Sequence, residues 1–172
     1  SRTMRTKCPE ELQVDRQAAF GALGVIALEG IHQAEVVPGW TVAVIGRGLL
    51  GHIVSRIVNA YGCDVIGYDV VDKTMPGTNR KAFINSGDDS AVDMTKALTR
   101  GRGVDKVIIT AAANTNAPMD LAAAIARDRG IICMIGVTQM NIDRRPYYER
   151  ELSFRIARSY GAGRYDSTYE QK

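Results

Sequence analysis

Thr41-Val-Ala-Val-Ile-Gly-Arg-Gly-Leu-Leu-Gly51 decides the fold, because it carries an apolar run straight into Gly46-x-Gly48-x-x-Gly51 and on into a helical pattern. Residues 41 to 45 are short, apolar and rich in Val and Ile, which suits a strand buried on both faces of a parallel sheet. Gly46 allows the tight turn after the strand. Gly48 leaves no side chain where a pyrophosphate must approach the backbone, and Gly51 lets the helix pack close to the sheet. The unpaired N–H groups that open the helix, at the positive end of its dipole, then face the phosphates.

The flanks carry as much weight as the glycines, since one such spacing alone is weak evidence in a chain with 17 glycines. Leu50, Ile53, Val54, Ile57, Val58 and Tyr61 form one face of a helix, and Gly62 stops it. A second strand, Asp64-Val-Ile-Gly-Tyr-Asp69, places a carboxylate 18 residues past Gly51. That position suits hydrogen bonds from adenosine ribose hydroxyls. A carboxylate there repels a 2′-phosphate, and Val70, Val71 and Asp72 offer no Arg to receive one. NAD is therefore expected over NADP, with Lys73 the one nearby cation that argues the other way.

Working outward, Val14 to Val36 reads as a helix ended by Pro38-Gly39. Pro76-Gly77 forbids a long crossover helix after Asp69, so a turn or loop is expected there. A strand at Ala82 to Asn85 and a helix from Ala91 to Thr99 follow, then a strand from Val104 to Ala111. A helix from Met119 to Arg127 is expected, with Asn116 as its cap, Pro118 in its first turn and Gly130 as its end. Strands Ile131 to Ile135 and Leu152 to Arg158 complete the pattern, the last alternating as an edge strand does.

The expected fold is α/β, a Rossmann doubly wound parallel six-stranded sheet with helices on both faces. Residues 1–11 form a tail, 12–160 the dinucleotide-binding domain and 161–172 a second tail or linker. The ligand crevice belongs beyond the carboxyl ends of the strands, beside the glycine turn, Asp69, Ala111 to Asn114 and Gly136 to Thr138. Small residues at Ala111, Ala112, Ala113 and Gly136 either let a cofactor lie flat or simply end strands.

Composition narrows the rest. With 45% hydrophobic and 24% charged residues, the 172-residue chain matches a globular domain. Its formal charge of +3 is too small and scattered for nucleic acid, and Arg144-Arg145 reads as solvated surface. No apolar run suits a membrane span, and the N-terminus lacks a signal-peptide core, so a cytoplasmic setting is expected. Cys8, Cys63 and Cys133 lie far apart without metal-ligand spacing, and His32 and His52 have no partner cluster in sequence. Neither a metal site nor a catalytic dyad is expected.

The set Ala-x-Ile-Gly-Arg-Gly-Leu-Leu-Gly, Val-Ile-Gly-Tyr-Asp, Gly101-Arg-Gly-Val-Asp105 and Gly130 to Val137 resembles the nucleotide-binding half of the medium-chain, zinc-type alcohol dehydrogenases. The stretch from Arg145 to Phe154, followed by Arg158 to Asp166, is similar to that family's bi-domain oxidoreductase subgroup, with Ala162 where Pro is common. The resemblance spans roughly residues 12 to 160. It implies a cofactor set of Gly46, Arg47, Gly48, Leu49, Leu50, Gly51 and Asp69, with Ala111 and Val137 added, and no catalytic residues. The family's GroES-like domain with its zinc ligands and Gly-His-Glu motif has no counterpart in these residues, so no zinc is expected in this chain. A homodimer through residues 152–158 is implied as well. The implied function is positioning of the nicotinamide for hydride transfer. The alternatives are a freestanding NAD(H)-binding or dimerisation module, and a remnant that keeps the fold without the ligand.

Overall fold

The computed structural model describes residues 19–73, 82–166, 168 and 169. Six strands form one sheet in the order β3-β2-β1-β4-β5-β6, with every neighbouring pair parallel. The strands are β1 Thr41–Ile45, β2 Asp64–Asp69, β3 Ala82–Asn85, β4 Val104–Ile109, β5 Ala126–Met134 and β6 Ser153–Ile156. The helices are α1 Gly21–Gln33, α2 Leu49–Ala60, α3 Ala91–Leu98, α4 Ala117–Ile125 and α5 Arg144–Arg150. The sheet order reverses between β1 and β4, which opens a crevice at their carboxyl ends.

Successive side chains on a strand point to opposite faces, and the core divides accordingly. Val42, Val44, Val65, Ile108 and Cys133 pack with Ala27 and Ile31 of α1 and with Val54 and Val58 of α2. Ala43, Ile45, Ile66, Tyr68, Val107, Ile109 and Ile132 pack on the other face with Ala91 of α3 and Met119, Ala122 and Ile125 of α4. Burial of both faces explains why these strands read as unbroken apolar runs. The two faces of helices and the edge position of β6 match the expected architecture.

Several boundaries differ from the sequence reading. Helix α1 starts at Gly21, while residues 14–18 of the expected helix, the tail 1–11 with Cys8, and Pro76-Gly77 lie outside the described residues. Strand β4 stops at Ile109 rather than Ala111, because the Thr110 and Ala111 amides both donate to the Ile45 carbonyl, at 2.8 and 3.0 Å. The fourth helix runs two residues earlier than expected and passes directly into β5, with Arg129 rather than Gly130 taking the left-handed conformation, φ 59°. Helix α5 was not expected at all. Asp143 caps it by accepting from the Arg145 amide at 3.0 Å, and Pro146 falls in its first turn. As expected, Arg145 remains solvated, 80% exposed.

Helix α2 ends as the sequence implies. Gly62 adopts φ 79°, its N–H donating to the Asn59 carbonyl and that of Cys63 to Val58. Cys63 is buried with its thiol donating to the Val37 carbonyl at 3.1 Å, and Cys133 is fully buried in β5. Burial raises both thiols above their ordinary values, Cys133 to about 12. Neither is expected to react with iodoacetamide at pH 7.5 until the fold is denatured. Mass spectrometry checks this, and native-state labelling of Cys133 contradicts the packing. No helix among the described residues is long and apolar enough to cross a membrane.

Candidate functional site

The crevice at the sheet reversal is a cavity of about 550 Å³. Ile45, Gly46 and Gly48 form its floor, Asp69, Val70 and Lys73 one wall, Ser86 and Gly87 the adjoining rim, and Thr110 to Ala113 with Pro118 and Leu121 the opposite wall. A wider groove of about 840 Å³ beside α5 is lined by Asp128, Arg129, Glu149 and Glu151 and contains no glycine turn. The chemistry of the glycine turn therefore places the candidate site in the smaller cavity.

The three glycines have different reasons to be glycine. Gly46 has φ 99°, and a Cβ there would lie 2.5 Å from the Ala111 nitrogen. A Cβ on Gly51 would lie 1.9 Å from the Gly46 carbonyl oxygen, so α2 could not sit so close to the turn. Gly48 has an ordinary φ of −72°, and a Cβ there would meet no atom of the described residues within 4 Å. Protein packing accounts for Gly46 and Gly51 but not for Gly48, whose bare backbone faces open space in the cavity.

The turn is held rigidly. The Gly46 amide donates to the Tyr68 carbonyl at 2.8 Å, and the Thr110 hydroxyl donates to the Gly46 carbonyl at 2.6 Å. Gly48 is the N-cap of α2 and offers no side chain, and no acidic residue stands in that helix's first turn. Among the described residues the first amides of α2 thus have no capping side chain, and they suit an anion. Thr110 was not anticipated from sequence. Its only signal is a polar residue immediately after the apolar run Val107 to Ile109.

Asp69 ends β2 with 8% of its surface exposed. Its carboxylate accepts from the Arg47 amide at 2.6 Å and from the Lys73 ammonium at 3.2 Å. Burial alone would push this carboxyl up, but hydrogen bonds from the Arg47 amide, Lys73 and the Val71 amide, with the Lys73 charge, outweigh it and hold the group below its ordinary value. It is an anion at neutral pH, partly balanced by Lys73.

Of the expected cofactor set, the cavity brings together Gly46, Gly48, Asp69 and Ala111. Arg47, Leu49, Leu50, Gly51 and Val137 are not among its lining residues. Leu50 packs into the core shared by α1 and α2, Leu49 is half exposed, and Gly51 lies against the Gly46 carbonyl. The Arg47 side chain is buried beneath the turn. Val137 exposes its side chain, while its backbone exchanges hydrogen bonds with Ala111 and Ala113 across a single bridge to Ala112. Gly136 is small for a packing reason, since a Cβ would lie 2.1 Å from the Ala111 carbonyl oxygen.

The Asn116 side chain, expected to cap α4, instead links to the loop at Asn141, donating to its carbonyl and accepting from its amide. His52 is buried on α2 and His32 exposed on α1. Among the described residues no group of three His, Cys, Asp or Glu side chains is placed to hold a metal.

Known proteins share this fold. No protein-family model matches the chain. In sequence it is 29% identical over 138 residues to alcohol dehydrogenase 1 of Emericella nidulans, covering 77% of this chain and 39% of that protein. It is 27% identical over 169 residues to a probable D-xylulose reductase A of the same organism, covering 92% of this chain and 46% of that one. The chain thus spans less than half the length of these curated relatives. An alcohol dehydrogenase from Thermus sp. ATN1 superposes with a TM-score of 0.76 at 23% identity, over 90% of this chain and 46% of that one. A mycobacterial protein solved with NADPH superposes with a TM-score of 0.79 at 20% identity, over 92% of this chain and 51% of that one. At these identities the structures establish a shared fold.

Proposed function

We propose that this chain, a relative of the zinc-type alcohol dehydrogenases with the fold of their nucleotide-binding half, holds NAD(H) and presents its nicotinamide for hydride transfer. The observation that carries the reading is Gly48, a glycine that protein packing does not require, set between the open N-terminus of α2 and the Asp69 carboxylate. When bound, the dinucleotide supplies the hydride donor or acceptor. The protein's part is to bind and orient. The first amides of α2 receive the pyrophosphate, Asp69 accepts from ribose hydroxyls, and the backbone from Ala111 to Ala113, braced by Val137, forms a wall for the nicotinamide end.

NAD is the proposed cofactor because Asp69 is an anion whose charge opposes a 2′-phosphate, although Lys73 softens that preference. Substrate activation by zinc is assigned to no residue of this chain, whose proposed share is positioning alone. Strand β6 pairs with β5 on one side and has no strand on its other edge among the described residues, with Ile156 exposed. That edge is the proposed seam of a homodimer. The two free buried thiols, Cys63 and Cys133, suit a cytoplasmic setting.

Titration of the chain into NADH, followed by the cofactor's fluorescence, is expected to saturate below about 1 mM, with NADPH binding more weakly. Absence of a saturable signal at millimolar concentration sinks the proposal.

A further inference from the structure

Arg47 is the largest fully buried residue among those described, with 1% of its surface exposed. Its position directly follows the turn glycine, yet the side chain does not enter the crevice. It folds under the turn, where Nη1 donates to the Ser55 hydroxyl at 2.8 Å and Nη2 lies 3.3 Å from His52 Nδ1. Ser55 in turn donates to the Gly51 carbonyl at 2.7 Å, tying the guanidinium to the first turns of α2. Room for it comes from β2. A Cβ on Gly67 would lie 2.9 Å from Arg47 Cδ and 3.0 Å from Nε.

Both choices are costly by themselves. A glycine inside a strand weakens it, and a buried guanidinium must give up its hydration where a leucine would fill the space without that cost. One geometric consequence accounts for both. The side chain is anchored on α2 and seated against β2, and the amide of the same residue meets the Asp69 carboxylate at 2.6 Å.

We propose that Arg47 is a positioning residue whose buried guanidinium, anchored on Ser55 and His52, fixes the amide that aims Asp69 and thereby sets discrimination between dinucleotides with and without a 2′-phosphate. The discrimination rests on the NAD(H) reading above; the aiming of Asp69 does not. Lys73, whose ammonium also contacts this carboxylate, is half exposed and makes longer contacts, so it balances charge without fixing direction.

The test uses the full chain with Arg47→Leu, Arg47→Lys and Ser55→Ala. Without any cofactor, carbon-detected NMR titration of Asp69 is expected to move up toward the ordinary carboxylate range in Arg47→Leu and part of the way in Ser55→Ala, with Arg47→Lys nearer the parent. With cofactor, Arg47→Leu is expected to weaken NADH about ten-fold and NADPH much less. Unchanged Asp69 titration in the folded variants overturns the proposal, and so does an equal loss for both dinucleotides, which a merely structural role would produce. Should Arg47→Leu fail to fold, Ser55→Ala decides both measurements, since it removes one anchor with little change in volume. If the parent chain binds neither dinucleotide, the NAD(H) reading falls and the discrimination claim with it, while the titration still decides whether Arg47 aims Asp69.

Discussion

Gly51→Ala is expected to cost about 3 kcal/mol of stability and to abolish measurable NADH binding, whereas Gly48→Ala is expected to cost less than about 1 kcal/mol and still lose binding. The difference follows from what each new methyl group would meet. At Gly51 it would fall 1.9 Å from the Gly46 carbonyl oxygen and 2.9 Å from the Thr110 hydroxyl. The Gly46 carbonyl is backbone and is held by Thr110, so no rotamer change relieves the clash, and α2 must lift from β1. In a chain of this size the melting temperature should fall by about 10 °C. At Gly48 the methyl group would meet no atom of the described residues and φ is already ordinary, so the fold should tolerate it. On the proposed reading the methyl group would instead occupy the cavity floor where the pyrophosphate comes close. Thermal melts and NADH titrations of both variants separate the two roles. Wild-type NADH affinity in folded Gly48→Ala would show that no ligand approaches that backbone.

Asp69→Asn is expected to weaken NADH about ten- to hundred-fold and to leave NADPH equal or stronger, reversing the preference. The substitution keeps an oxygen for the Arg47 amide but removes the charge that opposes a 2′-phosphate, leaving the Lys73 ammonium to attract one. An unchanged ratio of the two affinities would remove Asp69 from the specificity argument. The same residue gives a pH signature. Its folded value lies below the unfolded one, so its contribution to stability is complete above the unfolded value and is lost as pH falls through the folded value. Acid unfolding of Asp69→Asn should therefore show a shallower loss than the parent as pH falls below about 4.

The sheet and the crevice at its carboxyl end could be read from residues close in sequence because the signals there are local. Strand periodicity, the spacing of Gly46, Gly48 and Gly51, the C′ glycine at Gly62 and the carboxylate at Asp69 each depend on a few neighbours, and five of the six strands lie within two residues of their expected bounds. Helix α5 escaped notice because its seven residues carry no apolar stripe. Its evident local marks are the Asp143 cap and the proline at position 146.

Contacts between distant residues lay beyond that reading. Helix α4 ends at Ile125 where Arg150 of α5 supplies donors to the carbonyls of Ala123 and Ala126, and Ala126 pairs with Val104 in the sheet. Partners so far apart in the chain leave no periodic trace. Arg47 is the sharpest case. Its place in the glycine motif marked it as a residue facing the cofactor, but the space opened by Gly67 and the hydroxyl of Ser55 draw its side chain beneath the turn. Local chain chemistry established a parallel α/β sheet with a glycine turn at the end of its first strand and an acidic neighbour. Which side chains face the crevice, and how Asp69 is aimed within it, depended on packing between β2, α2 and the turn, because only there do residues remote in sequence compete for the same buried volume and the same donors.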